Sequence, residues 1–274
     1  MERPRYSRVD GCLRTVSSQL ENIMEMVKLK TGCEDVQKKL QETLDLATTI
    51  EPYCVTKSTH LSPFLSSILE HTVAMDFKQL YQAGKLEHNF KHGDSSQSMI
   101  SFSGQVQFLQ FLVRKIKAKN ILEIGTFMGY AAFGMAEAMA PGGSVTGIDI
   151  EPLFCDFVNE LAVQKDINIE VMNGDALQIL KQLAEADIKY DVIYIDCVKR
   201  DYYEYYKIIM SNEMLSSDGL IVCDRVILGG ASISRKNHDG VALDNFSNRL
   251  LNDQRVTTVL LPCFDGTLLI QNRS

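Results

Sequence analysis

The chain has 274 residues, 45% of them apolar and 23% charged, with a formal net charge of −7. Such values describe an ordinary folded domain with room for an appendage, and the negative balance opposes nucleic acid or an anionic membrane surface, leaving a small molecule as the expected partner. Met1-Glu2-Arg3-Pro4 leads into no apolar stretch and no apolar run is long enough to span a bilayer, so a cytoplasmic location is the expectation. The seven cysteines, at 12, 33, 54, 155, 197, 223 and 263, form no Cys-x-x-Cys pair, which argues for reduced thiols over a disulfide framework or a thiolate zinc site.

The first part reads as helical. Val9, Leu13, Val16, Leu20, Ile23 and Val27 recur at steps of three or four, and Val36, Leu40 and Leu44 repeat the pattern after a break at Gly32-Cys33. Glu51-Pro52 is expected to end that second helix, a further helix to run from Pro63 to about Glu87, and His92-Gly93-Asp94-Ser95-Ser96 to form a loop.

Beyond Met99 the pattern alternates. Gln105 to Lys117 and Tyr130 to Ala140 read as helices, the latter closed by Pro141-Gly142-Gly143. Strands are expected at Asn120–Ile124, Ser144–Asp149, Asn168–Met172, Asp191–Asp196, Gly219–Asp224, Val256–Leu261 and Thr267–Gln271. Strands alternating with helices imply crossovers, hence a doubly wound, mostly parallel seven-stranded α/β sheet. Phe264-Asp265-Gly266 is a hairpin signal that makes the last strand antiparallel. The expected division is an N-terminal helical extension over 1–98 and an α/β domain over 99–274.

In such a sheet, ligands bind beyond the carboxyl ends of the strands, where strand order reverses. The first of these strands ends in Glu123-Ile124-Gly125 and turns through Thr126-Phe127-Met128-Gly129-Tyr130 into a helix. Gly125 is expected to let the backbone approach a ligand, and Asp149 to bind a ribose from the next strand end. A dinucleotide site would share that carboxylate but wants Gly-x-Gly-x-x-Gly. Glu123 would repel a pyrophosphate and suit a cationic sulfonium. Gly174-Asp175-Ala176 could seat an adenine or simply cap a helix, with Asp175 as the capping carboxylate. Asp196, Lys199 and Asp224 cluster at two later strand ends. Methyl transfer from a sulfonium needs an acceptor oxygen held in line and helped to lose its proton, and Lys199 could serve as base or as cation for it. The alternative for this trio is solvated charge at strand ends.

These residues resemble a family, the cation-dependent O-methyltransferases of the catechol and caffeoyl-coenzyme A type, with the seven-stranded class I methyltransferase fold. The resemblance runs from Met99 to the C-terminus. Its carriers are Gln107-Phe108-Leu109, Ala118-Lys119-Asn120, Glu123-Ile-Gly125, Gly129-Tyr130, Asp149, Gly174-x-Ala176, Asp196-x-x-Lys199 with Tyr202, Asp224, Leu261-Pro262 and Asp265-Gly266. The stretch from Asp45 to Tyr53 and the extra helices resemble the longer mycosporine and gadusol pathway enzymes, which methylate a cyclohexenone enediol. The resemblance implies S-adenosylmethionine as cofactor, with Met99 and Ser101 at its methionine end, Glu123, Gly125 and Thr126 as its floor, Asp149 on ribose and Ala176 on adenine. It further implies Asp196 and Asp224 as metal ligands and Lys199 acting on the acceptor hydroxyl.

Two departures stand out. Arg225 replaces the asparagine that completes the family's metal site, and a guanidinium, donor-only and permanently charged, cannot ligate Mg²⁺. Ala131 replaces a serine that contacts the cofactor carboxylate. Two mechanisms remain open: a divalent ion held by Asp196 and Asp224 with the arginine turned away, or Arg225 paired with both aspartates and supplying the ion's positive charge. A catalytically impaired cofactor-binding or dimer-partner protein is the alternative of another class, and the helical appendage suggests a homodimer. His88 and His92 have the spacing for zinc but no third ligand, so a polar surface is the simpler reading. Tyr202, Tyr203, Tyr205 and Tyr206 divide between helix faces, which makes some of them core.

Overall fold

The computed structural model describes residues 11–28, 32–88 and 99–273, with side chains from residue 16 onward. Val9, the side chains of Cys12 and Leu13, His92 and the expected loop at 92–96 lie outside the described residues.

Two helices, α1 (Gly11–Lys28) and α2 (Glu34–Thr56), form an antiparallel pair, followed by α3 (Pro63–Ala74) and α4 (Phe77–Gln82). Pro52 does not end α2. It lies inside the helix, and the turn beyond it docks on α5 (Ser103–Ile116), where Gln107 Nε2 donates to Thr59 O at 2.9 Å. An internal proline costs about 3 kcal/mol, which that docking helps offset. The stretch expected as one helix from Pro63 is two, because Asp76 starts a new one by accepting from Gln79 N at 2.9 Å.

The remaining order is β1 (Asn120–Ile124), α6 (Tyr130–Ala136), β2 (Ser144–Asp149), α7 (Pro152–Lys165), β3 (Ile169–Asn173), α8 (Ala176–Glu185), β4 (Tyr190–Ile195), α9 (Tyr202–Ser211), β5 (Leu215–Cys223), α10 (Ala231–Ser234), α11 (His238–Leu251), β6 (Val256–Leu261) and β7 (Thr267–Asn272). The helix expected to reach Ala140 stops at Ala136, and β5 starts four residues earlier than expected, beside a register irregularity with β4.

The sheet order is β3-β2-β1-β4-β5-β7-β6. β1 to β5 pair in parallel, while β7 is antiparallel to both β5 and β6, as the hairpin signal requires. Alternate side chains feed two cores. Leu122, Ile124, Ile193 and Ile221 face α8, α9 and α11, whereas Ile121, Val192 and Val222 face α3, α5, α6 and α7. Burying one such side chain contributes roughly 1.5–3 kcal/mol. Tyr202, Tyr205 and Tyr206 are buried in the first core, with Tyr202 edge-on to Phe246, while Tyr203 lies under Arg249. Strand order reverses between β1 and β4, and the carboxyl ends around that crevice hold the candidate site.

Candidate active site

The β1–α6 turn is fixed by backbone geometry. Gly125 has φ +94°, and a Cβ there would stand 2.2 Å from the Asp196 carbonyl oxygen. The end of β4 therefore demands glycine at this position. Gly129, at φ +79°, caps α6, and Phe127 also sits in the left-handed region at φ +49°.

Two carboxylates, Glu123 and Asp149, adjoin this turn. Glu123 is 1% exposed and its Oε2 has no hydrogen bond. Burial, then the charge of Asp196, pushes its carboxyl well above the usual range. A buried acceptor left this way invites a cationic ligand, whose arrival would favour the ionised form. Asp149 Oδ2 accepts from Phe127 N at 2.7 Å and Oδ1 from Glu151 N at 3.0 Å, so its orientation is set by the turn and by the start of α7. Burial raises its carboxyl as well. At the end of β3, Gly174 has φ +146° and Asp175 caps α8, accepting from Gln178 N at 3.0 Å. Ala176 is the first residue of that helix. The capping role for Asp175 is thus realised.

Met99 packs with Phe77, Leu86, Met128 and Phe154 beside the turn. The Ser101 hydroxyl adjoins the buried phenol of Tyr194, whose acidity burial suppresses. Ala131 is buried in the first turn of α6.

Beyond β4 and β5 the structure brings Asp196, Lys199, Asp224 and Arg225 together. Lys199 Nζ lies 2.7 Å from Asp196 Oδ1, 2.6 Å from Tyr202 Oη and 3.4 Å from Asp224 O, three acceptors for the three hydrogens of an ammonium. The Tyr202 hydroxyl lies 2.9 Å from Asp224 O and 3.0 Å from Ile195 O, tying the two strand ends. Arg225, at φ +53°, places Nε 3.3 Å from Asp224 Oδ2 and donates from a terminal nitrogen to Ile100 O at 3.2 Å. Gln105 Nε2 donates to the other oxygen of Asp224 through a short bond. Burial opposes ionisation of Asp196, but Lys199 and then Arg225 overcome it and hold its carboxyl low. Burial and the charge of Asp196 push Asp224 well up. Lys199 stands at contact distance from Asp196 and Arg225 from Asp224, and the charge of Arg225 reaches Asp196 as well.

The loop carrying Arg225 is held from the far hairpin. Asp265 Oδ1 accepts from Gly229 N at 2.6 Å, Ile227 N donates to Asp265 O, and Val226 N to Gly266 O. A Cβ on Gly266 would stand 2.6 Å from Ile227 N, so that turn needs glycine.

These donors do not fit a hard divalent ion. One oxygen of Asp196 is taken by an ammonium, one oxygen of Asp224 accepts from Gln105 while the other, without a hydrogen bond, lies 3.3 Å from Arg225 Nε, and the third position is a guanidinium. Among the described residues no three His, Cys, Asp or Glu side chains are placed to share a metal. His88 Nδ1 lies 3.2 Å from Glu151, and His92, the other member of the spaced pair, is outside the described residues.

Sequence reasoning missed Gln105 and Glu151. Gln105 lies four residues before Leu109 on the buried face of α5, and a polar residue on an apolar face was the available signal. Glu151 gave none.

Residues 74–273 match the sequence profile of a family described as O-methyltransferase. The chain belongs to this O-methyltransferase family. It is 28% identical over 247 residues to the O-methyltransferase ankF of Aspergillus thermomutatus, covering 84% of this chain and 95% of that one. A catechol O-methyltransferase of Niastella koreensis is 36% identical over 135 residues, 46% of this chain and 58% of its own length. Among solved structures, the S-adenosylhomocysteine-bound methyltransferase PaMTH1 of Podospora anserina superposes with a TM-score of 0.71 at 26% identity, covering 84% of this chain and 96% of that one. The protein is an S-adenosylmethionine-dependent O-methyltransferase. The buried, unpaired oxygen of Glu123 and the left-handed turn around Gly125 and Gly129 are compatible with that cofactor. No helix among the described residues is long and apolar enough to cross a membrane.

Proposed function

We propose that this enzyme methylates one oxygen of a small acceptor bearing two neighbouring oxygens, catechol-like or a cyclohexenone enediol, and does so without a divalent ion. The observation that carries this reading is the presence of two cations beside the strand-end aspartates, Lys199 at contact distance from Asp196 and Arg225 from Asp224, with the charge of Arg225 reaching Asp196 as well. The similarity to a catechol O-methyltransferase supports the acceptor class.

When bound, S-adenosylmethionine supplies the methyl group as a sulfonium, which an acceptor oxygen attacks with S-adenosylhomocysteine as leaving group. In this reading Met99, Ser101, Glu123, Gly125, Thr126, Gly129, Asp149, Gly174 and Ala176 hold the cofactor. Lys199 and Arg225 stabilise negative charge on the two acceptor oxygens as the reacting hydroxyl gives its proton to solvent water. Asp196 fixes Lys199, and Gln105 with Asp224 fixes Arg225.

Incubation with labelled S-adenosylmethionine and a panel of catechols, enediols and mono-hydroxy analogues tests this. Methylated product from the vicinal compounds alone is expected. Product from mono-hydroxy analogues at equal rate would refute the acceptor class, and cofactor binding with no product from any acceptor would favour the catalytically impaired alternative. A homodimer is proposed as well, supported by exposed Val16, Ile23 and Met26 on α1 and Leu46 and Ile50 on α2. Light scattering should give twice the 30.8 kDa chain mass, and a monomer would refute it.

A further inference from the structure

Glu151 follows β2 by two residues and stands at the N-cap of α7, yet its side chain does not cap that helix. It is 1% exposed and turns instead to a segment more than sixty residues earlier. Glu87 N lies 3.2 and 3.1 Å from its two oxygens, His88 N donates to Oε2 at 3.0 Å, and the His88 ring nitrogen Nδ1 lies 3.2 Å from the same oxygen. A carboxylate taken out of water at this cost is retained where its acceptors are satisfied, and here they are satisfied by another segment's backbone.

That contact closes a circuit around the cofactor turn. Leu86, just before the clamped residues, packs with Phe77, Met128 and Phe154. The ring of Phe127 sits in the same cluster, 5.3 Å from Phe77 and 4.8 Å from Phe154. Phe127 N then donates to one oxygen of Asp149, and Glu151 N to the other. Two backbone donors that aim Asp149 therefore come from Glu151 itself and from Phe127, which packs in the cluster beside the clamped segment.

We propose that Glu151 is a positioning residue for cofactor binding: by clamping the backbone of Glu87 and His88 to the end of β2, it fixes the turn at Phe127 and the orientation of Asp149. It acts through Asp149 and touches no reacting atom. The inference rests on the reading that Asp149 holds the cofactor ribose.

The test is the dissociation constant of S-adenosylhomocysteine, by calorimetry, for Glu151→Ala, Glu151→Gln, His88→Ala and Asp149→Asn, with KM and kcat for S-adenosylmethionine measured on each. Glu151→Ala should weaken binding about tenfold or more, and Glu151→Gln, which keeps one acceptor oxygen, by less. His88→Ala leaves both backbone donors in place and should change binding by less than about threefold. Loss should fall on KM, with kcat at saturating cofactor within about twofold. Should Glu151→Ala not fold, Glu151→Gln carries the test. Unchanged affinity in the Glu151 variants with weakened Asp149→Asn would overturn the clamp and leave the ribose reading standing. Unchanged affinity in Asp149→Asn would overturn both, and a fall in kcat at unchanged affinity would also overturn the clamp.

Discussion

At the scale of single residues, the proposed function turns on the groups around Asp196 and the buried Asp224. Lys199 has three acceptors around Nζ and faces the space beyond β4, so Lys199→Ala should lower kcat by about 10²–10⁴ while leaving cofactor affinity nearly unchanged. Steady-state kinetics with cofactor and acceptor varied separately would show it, and loss confined to cofactor KM would count against the assignment. A second prediction concerns a thiol outside the chemistry. Burial, aided by Asp149, pushes Cys155 up from 9.0 to about 11. Between those values the unfolded chain has lost the proton that the folded chain keeps, so this group's contribution makes unfolding easier as pH rises through the window. Denaturant titrations from pH 8.5 to 11 should therefore give a steeper loss of stability for the natural chain than for Cys155→Ala, and parallel slopes would contradict this. Arg225 was legible as a residue, since donor-only chemistry excludes it as a metal ligand. Its placement was not, because that rests on a backbone at φ +53° that no spacing encodes.

At the scale of elements, packing between α5 and α6 sets the back wall of the site. A Cβ on Gly134 of α6 would stand 2.3 Å from Val106 Cγ1 on α5, both inside the buried core. Gly134→Ala should cost about 1–3 kcal/mol from overpacking despite the better helix propensity of alanine. Adding Val106→Ala should restore part of that loss, a coupling that urea denaturation of the two single variants and the double variant would measure. Simple additivity would refute the contact. Certain strands were the most legible elements: β1 and β2 lie where their apolar runs are bounded by turn residues, and β6 and its antiparallel hairpin to β7 where Asp265-Gly266 mark the turn. Pro52 misled because a local rule for helix ends was overridden by docking on α5, and the start of α4 was missed because Asp76 announces its helix only through a side-chain cap.

At the scale of the whole molecule, the site is assembled from segments far apart in the chain. α5 supplies Gln105, β4 leads into Asp196 and Lys199, β5 leads into Asp224 and Arg225, and the β6–β7 turn holds the arginine loop. The sheet and the family were readable from the order of elements and from the motif at Glu123 to Tyr130. The surroundings of the aspartates were only half readable, since Gln105 is 119 residues from its partner. The central claim is that two fixed cations do here what a divalent ion does in a site with an asparagine beside the second aspartate. It is tested most directly by methyl transfer to a catechol or enediol acceptor in excess EDTA, compared with the same assay supplemented with Mg²⁺. Undiminished activity in EDTA, unstimulated by Mg²⁺, is the predicted result; activity abolished by EDTA and restored by Mg²⁺ would contradict it.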